Sequence, residues 1–171
     1  ERVEQWAEAE KRYRQIRDTF PKGDYAAVAT YLLADVLRNQ NRTDEAADLL
    51  RSLWSNAEDY TLPEGSNLAE DAKLMAAQIL FQLNRFDEAA EAYEAFIEAN
   101  PSGPHTAKAK YGADWAHYRQ KEYSQALAIA DTLQKRALAP DLAVGILFLQ
   151  GTCSYQQELY EDAIRYFREV I

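Results

Sequence analysis

One cysteine and two histidines are all that 171 residues offer in the way of soft ligands. Cys153 has no second thiol in the chain to pair with, so an internal disulfide is excluded; it reads as a small buried residue beside Gly151, Thr152 and Tyr155. His105 and His117 have no other histidine or cysteine at ligand spacing, which argues against a metal site. There is no glycine-rich phosphate loop, no nucleophile elbow and no zinc signature, and carboxylates on solvated helix faces carry no acid–base information, so neither a cofactor nor an enzymatic activity is expected. No apolar run approaches the roughly 20 residues that cross a bilayer, so this segment is not expected to insert in a membrane. Positive charge is also scarce. Nineteen lysines and arginines face 28 acids, a formal net charge of −9, which argues against a nucleic-acid partner.

What the chain has is repetition. Five times an aromatic or small residue is followed three positions later by an alanine that begins a second helix's buried face: Trp6–Ala9, Thr43–Ala46, Phe86–Ala89, Tyr123–Ala126 and Tyr160–Ala163. The alanines lie 37, 43, 37 and 37 residues apart, a period that belongs to stacked helical arrays. In one copy Leu74, Ala77, Leu80 and Phe81 recur at helical spacing, Asn84-Arg85 punctuates, and Phe86, Ala89, Tyr93, Phe96 and Ile97 recur again before Asn100-Pro101. That is a pair of amphipathic helices joined by a tight turn, with alanine where the two axes approach most closely.

The pattern predicts helices over 2–19, 24–40, 43–57, 66–83, 86–99, 104–120, 123–136, 140–157 and 160–171, about nine in all. Thr43, Ser66 and Ser102 signal starts, and Pro140 suits a first helical turn. Glu58–Gly65 accounts for the longer 43-residue spacing and reads as a surface loop, with Tyr60 and Leu62 as apolar residues able to dock on something. The reading is all-α and a single domain, 1–171: a leading second-helix half-repeat over 1–21, then repeats at about 24–58, 66–101, 104–139 and 140–171. Both ends lack a polar capping repeat, which is expected of a piece of a longer protein and leaves self-association through uncapped ends open.

These residues resemble the tetratricopeptide repeat. That family sets a small residue at its eighth position, here Ala34, Ala77, Asp114 and Gly151, with Asp114 the departure. It sets alanine at the twentieth, and an aromatic at the twenty-fourth, here Tyr13, Tyr93 and Phe167, with Leu50 and Ala130 departing. Proline at the thirty-second falls on Pro21 and Pro101. The resemblance implies a right-handed superhelix of stacked antiparallel helix pairs, first helices lining the concave side. Phe20-Pro21-Lys22-Gly23-Asp24-Tyr25-Ala26 and Asn100-Pro101-Ser102-Gly103-Pro104-His105-Thr106-Ala107 look like the repeat subtype of bacterial cell-envelope proteins, the outer-membrane-assembly lipoproteins and the Tol–Pal coordinator, which favours the periplasm over the cytoplasm.

The family contacts its ligands through fixed positions of the first helices. Carried over, these are Tyr31, Leu74, Tyr111 and Phe148 at the fifth position, Asp35, Gln78 and Trp115 at the ninth, and Phe81, Tyr118 and Tyr155 at the twelfth. The expectation is a scaffold that binds a protein or peptide through a concave aromatic surface. Several of these rings compete for a second role, packing between repeats. The positions that would clamp a terminal carboxylate hold Tyr31, Asp35, Leu74, Met75 and Gln78, with only Lys108 basic, so that mode is disfavoured. Between Asn56 and Asn100 ten acids face only Lys73 and Arg85, a solvated outer face or a surface for a basic partner. A basic cluster, Lys11, Arg12, Arg14 and Arg17, is expected to pair with nearby acids. The competing functional class is a structural spacer or self-association arm, and a third is the regulatory domain of an enzyme.

Overall fold

A computed structural model describes residues 2–55, 67–134 and 138–171. Tyr60, Leu62, the Glu58–Gly65 segment and the Ser66 start signal lie outside the described residues. Nine helices and no strand are present among the described residues: α1 Arg2–Thr19, α2 Asp24–Asn39, α3 Thr43–Ser55, α4 Leu68–Gln82, α5 Phe86–Ala99, α6 Thr106–Arg119, α7 Tyr123–Gln134, α8 Pro140–Gln156 and α9 Tyr160–Val170. None of them is long and apolar enough to cross a membrane.

The chain divides into two compact units, Glu1–Asn84 and Arg85–Ile171. In the first, α1 packs on α2, α2 on α3 and α3 on α4, and the first helices α2 and α4 also touch. In the second, α5 to α9 pack in the same sequential way, and α6 touches α8. Within each unit this is a stacking pattern of sequential antiparallel helices in which first helices of successive pairs also touch.

The repeated alanines sit where the helices cross. Ala46, Ala89 and Ala126 are fully buried, as are Ala34 and Ala77 at the small position of α2 and α4. A larger side chain at any of these would push two axes apart. Glycine serves the same end at Gly112, where a Cβ would lie 2.4 Å from the ring of the buried Tyr93 of α5. At Gly151 a Cβ would lie 2.5 Å from Phe167 of α9. These two aromatics, expected from the repeat pattern, are therefore seated directly on helix backbone.

The turns between first and second helices share one backbone solution. Asn41, Asn84, Lys121 and Glu158 all have positive φ, between 60° and 66°, and each precedes a buried repeat alanine by five residues. The left-handed residue lets the next N–H reach back five residues, as Arg42 to Leu37, Glu122 to His117 and Leu159 to Ser154, which satisfies carbonyls left over at the helix end. The following helix is anchored by charge in two of the four. Arg42 grips Glu45 with both sides of its guanidinium at 2.6 Å, and Arg85 grips Glu88 at 2.7 and 2.8 Å.

Two expectations about starts need correction. Helix α6 begins at Thr106 rather than at 104, and Ser102 does not cap it. Pro104 and His105 belong to a turn in which Thr106 N–H bonds to Gly103 and the Thr106 hydroxyl donates to the Asn100 carbonyl. Asn100 and Thr106 thus do the work that the Ser102-Pro104 pattern was expected to do. The basic cluster of α1 behaves as expected at two positions: Arg12 pairs with Glu8 at 2.8 Å and Arg14 with Glu10 at 2.7 Å. Glu10 is shared with Arg42 at 2.7 Å, tying α1 to the α2–α3 turn.

Candidate functional site

On α6, Tyr111, Trp115 and Tyr118 fall at spacings of four and three, so one helical stripe carries all three. They form a ladder of edge-on rings: Tyr111 and Trp115 have centroids 6.2 Å apart at 83°, and Trp115 and Tyr118 5.4 Å apart at 81°. Tyr123, at the start of α7, extends it, 5.6 Å from Tyr118.

The ladder is half-buried, and what buries it is α7 and α8. Trp115 and Tyr118 pack against Ala126, Leu149 and Cys153. Tyr111 packs against Ala130, Leu133 and Ile146, and its hydroxyl lies so close to Gly145 that a Cβ there would be 2.6 Å away. The competing role weighed above, packing between repeats, is therefore real for all three residues, each of which keeps only part of its ring at the surface.

The equivalent positions on α8 are open. Phe148 is 47% exposed and Tyr155 57%. Each leans on its hairpin mate, Phe148 on Phe167 at 5.9 Å and Tyr155 on Tyr160 at 5.8 Å. In the first unit Tyr31 and Asp35 lie on α2 and Leu74, Gln78 and Phe81 on α4. Tyr31, Leu74 and Phe81 are half-buried and Gln78 is exposed. Burial pushes the Tyr31 phenol above its usual range, and the carboxylates of Asp71 and Asp35 add to the shift. Asp35 is engaged by Arg38 at 2.6 Å, so the one acid expected at the site is already partnered.

Beneath the ladder runs a buried polar seam that the repeat pattern flagged only as an anomaly. Asp114 is completely buried, and neither of its oxygens accepts a hydrogen bond. Burial drives its carboxyl up to about 8, with nearby Asp131 adding to the shift and Lys110 opposing it. Gln150 of α8, equally buried, donates to Asp131 at 2.8 Å and leaves its own Oε1 unmatched. Burial, reinforced by Asp114, pushes the Cys153 thiol up to about 12, so the expected role of Cys153 as an inert packing residue holds.

His117 is buried, and it is also a junction. Its Nδ1 lies 2.8 Å from Glu122 and its Nε2 3.0 Å from Glu94, linking α6 to α5 and to the α6–α7 turn. Both partners lie on other segments, one of them 23 residues away, which is why spacing alone did not reveal them. Among the described residues no group of three histidine, cysteine or acidic side chains is placed to hold a metal ion.

Comparison with known proteins agrees with this geometry. The sequence profile described as tetratricopeptide repeat matches residues 1–59, 74–143 and 115–171. A tetratricopeptide repeat protein 30 homolog from Aedes aegypti is 31% identical over 111 residues, covering 60% of this chain; the chain spans only 16% of that relative's length. The crystal structure of MamA superposes with a TM-score of 0.72 at 14% identity, over 96% of this chain and 86% of that one. A putative kinesin light chain from Podosopora anserina with nearly identical repeats superposes at 0.73 and 14% identity, over 99% and 87%. At such identities the two structures speak to the fold alone. With helix pairs, buried repeat alanines and matching profile all in agreement, this chain belongs to the tetratricopeptide repeat family, whose fold is in general a non-catalytic scaffold for protein interaction.

Proposed function

We propose that this chain binds a partner polypeptide through the aromatic surface of its first helices, with α6 and α8 carrying the contact in the second unit and Tyr31, Asp35, Leu74, Gln78 and Phe81 holding the corresponding positions of α2 and α4 in the first. The observation that carries this reading is the half-exposed ladder Tyr111–Trp115–Tyr118 on α6, whose register Phe148 and Tyr155 repeat on α8. Covering the exposed halves of two such rings, roughly 100 Å² each, stabilises a complex by about 5 kcal/mol before ordering costs, which places the affinity near micromolar once further contacts are added. No catalytic step is assigned to the chain. A bacterial envelope assembly is the setting proposed for it, and that rests on the residue pattern at Phe20–Ala26 and Asn100–Ala107 alone.

A second reading, a self-association arm, has its own observation. Phe148, Tyr155, Tyr160 and Ile164 are exposed. Their counterparts one repeat earlier, Tyr111, Tyr118, Tyr123 and Leu127, are the residues that pack on the clusters shared with α8.

A photo-crosslinking residue at position 155, and separately at 118, separates the two. A crosslink from both positions to one and the same foreign polypeptide supports the first reading. A crosslink from position 155 to a second copy of the chain supports the second, and no crosslink from either position removes both.

A further inference from the structure

Another face of the second unit carries a groove that the aromatic surface does not use. It lies between α5 and α7, has a volume of about 480 Å³, and is floored by Ile97, Ala128 and Ile129. Its rim on α5 is Glu94 and Glu98, and Lys110 of α6 stands at its side. Lys110 is adjacent in sequence to Tyr111, and the 100° step between neighbours turns its side chain away from the ladder stripe.

The charges on this rim are placed against the interest of the helix that bears them. Helix α5 holds Asp87, Glu88, Glu91, Glu94 and Glu98 and no lysine or arginine. Asp87 and Glu88 sit in its first turn, where the helix dipole favours an anion. Glu98 lies in its last turn, where the dipole disfavours an anion, and Glu94, four residues before it, is close enough along the helix to repel it. Glu94 is held by His117 at 3.0 Å, and Glu98 is exposed with no ion-pair partner among the described residues. Lys110 does not neutralise the rim, because its ammonium donates to Thr132 on the α7 side at 3.2 Å.

An apolar floor edged by two mutually repelling carboxylates is complementary to one kind of occupant. We propose that this groove is a second binding site, for a polypeptide segment that places an aliphatic side chain over Ile97, Ala128 and Ile129 and an arginine or lysine against Glu94 and Glu98. The volume falls within the range of clefts that hold a ligand. The aliphatic group replaces water on the floor. The cation relieves the repulsion along α5 at the moment of binding, so Glu94 and Glu98 contribute more in the complex than they do in the uncomplexed chain. The site is independent of Phe148 and Tyr155, and its test leaves those residues untouched.

The probe is a fluorescein-labelled helical 14-mer with leucines four residues apart and arginines on the same face, read by anisotropy against the same peptide with glutamate for arginine. Three proteins are compared: the parent, Glu94→Gln/Glu98→Gln, and a control, Glu161→Gln/Glu169→Gln, which removes the same charge from α9. The arginine peptide should bind the parent and the control equally and the glutamate peptide neither. Glu94→Gln/Glu98→Gln should weaken binding by roughly tenfold or more while its own melting temperature holds or rises, since a repulsion has been removed. Equal weakening by both double variants would mean attraction to a −9 chain as a whole and would overturn the proposal. So would undiminished binding by Glu94→Gln/Glu98→Gln, or no binding to the parent. Loss of binding together with a lowered melting temperature calls for Ile129→Asn as a second variant, and retention of binding there also overturns it.

Discussion

Replacing Asp114 by asparagine should change how the stability of this protein depends on pH. At the repeat position that holds Ala34, Ala77 and Gly151 elsewhere, Asp114 is a completely buried carboxyl whose two oxygens find no donor. The charged form is disfavoured there, and its pKa rises from 3.8 to about 8. A folded-state value above the unfolded one means that the folded chain holds one more proton between those limits. The stability associated with this group is therefore complete below about pH 4, falls as pH rises, and is gone above about pH 8. Asparagine has the same shape, carries no charge and does not titrate. Between pH 5 and pH 7.5 the unfolding free energy of the parent should fall relative to Asp114→Asn by about 3 kcal/mol, at 1.36 kcal/mol per pH unit. The window avoids lower pH, where carboxylates held low by arginine, Glu8 by Arg12 and Glu45 by Arg42, lose their stabilising charge and the sign of the slope reverses. Urea unfolding at the two pH values, parent and variant side by side, measures the difference directly. Parallel pH profiles would refute the reasoning, because they would mean that Asp114 reaches a donor or solvent.

Two further predictions concern the backbone of the repeat. Gly112→Ala should destabilise by about 1–3 kcal/mol in urea unfolding, because the new methyl lands 2.4 Å from the Tyr93 ring and the gain in helix propensity, up to about 1 kcal/mol, does not offset it; the same change should be much milder in Tyr93→Leu. Lys121→Asn and Glu158→Asn should each stabilise by a few tenths to about 1 kcal/mol, since both residues sit at positive φ in turns where Asn41 and Asn84 already occupy the same place, and a loss in thermal midpoint would contradict the common turn geometry.

The fold was legible because its signals are local. An alanine that must be small, an aromatic four residues on and an asparagine at the turn recur within one helix pair, and seven of the nine expected helices begin at their structural start; α4, whose expected start at 66 lies outside the described residues, begins at 68, and α6 is the exception, beginning two residues late. The exception is instructive, because Thr106 is held by Asn100 across a turn, and a helix start fixed by a side chain six residues upstream is invisible to a rule about the residue just before it. The candidate site was legible by position but not by exposure. Tyr111, Trp115 and Tyr118 were found from their spacing, yet whether a ring faces solvent or a neighbour is decided by Gly145, Leu149 and Cys153, about 30 residues later. The Glu94–His117–Glu122 junction and the α5–α7 groove needed three segments to meet, and no window of sequence contains all three. Asp114 stood out as a departure from pattern, but only burial gave it meaning.

The central claim is that the open rings of α8 hold a foreign polypeptide. Phe148→Ser/Tyr155→Ser tests it most directly, because both side chains are about half exposed and neither belongs to the two buried clusters beside the ladder. With the polypeptide crosslinked at position 155 as titrant, and helicity and melting temperature unchanged, the account predicts a fall in affinity of at least roughly thirtyfold, the effect of removing about 2 kcal/mol of aromatic burial. An affinity equal to that of the parent would contradict it.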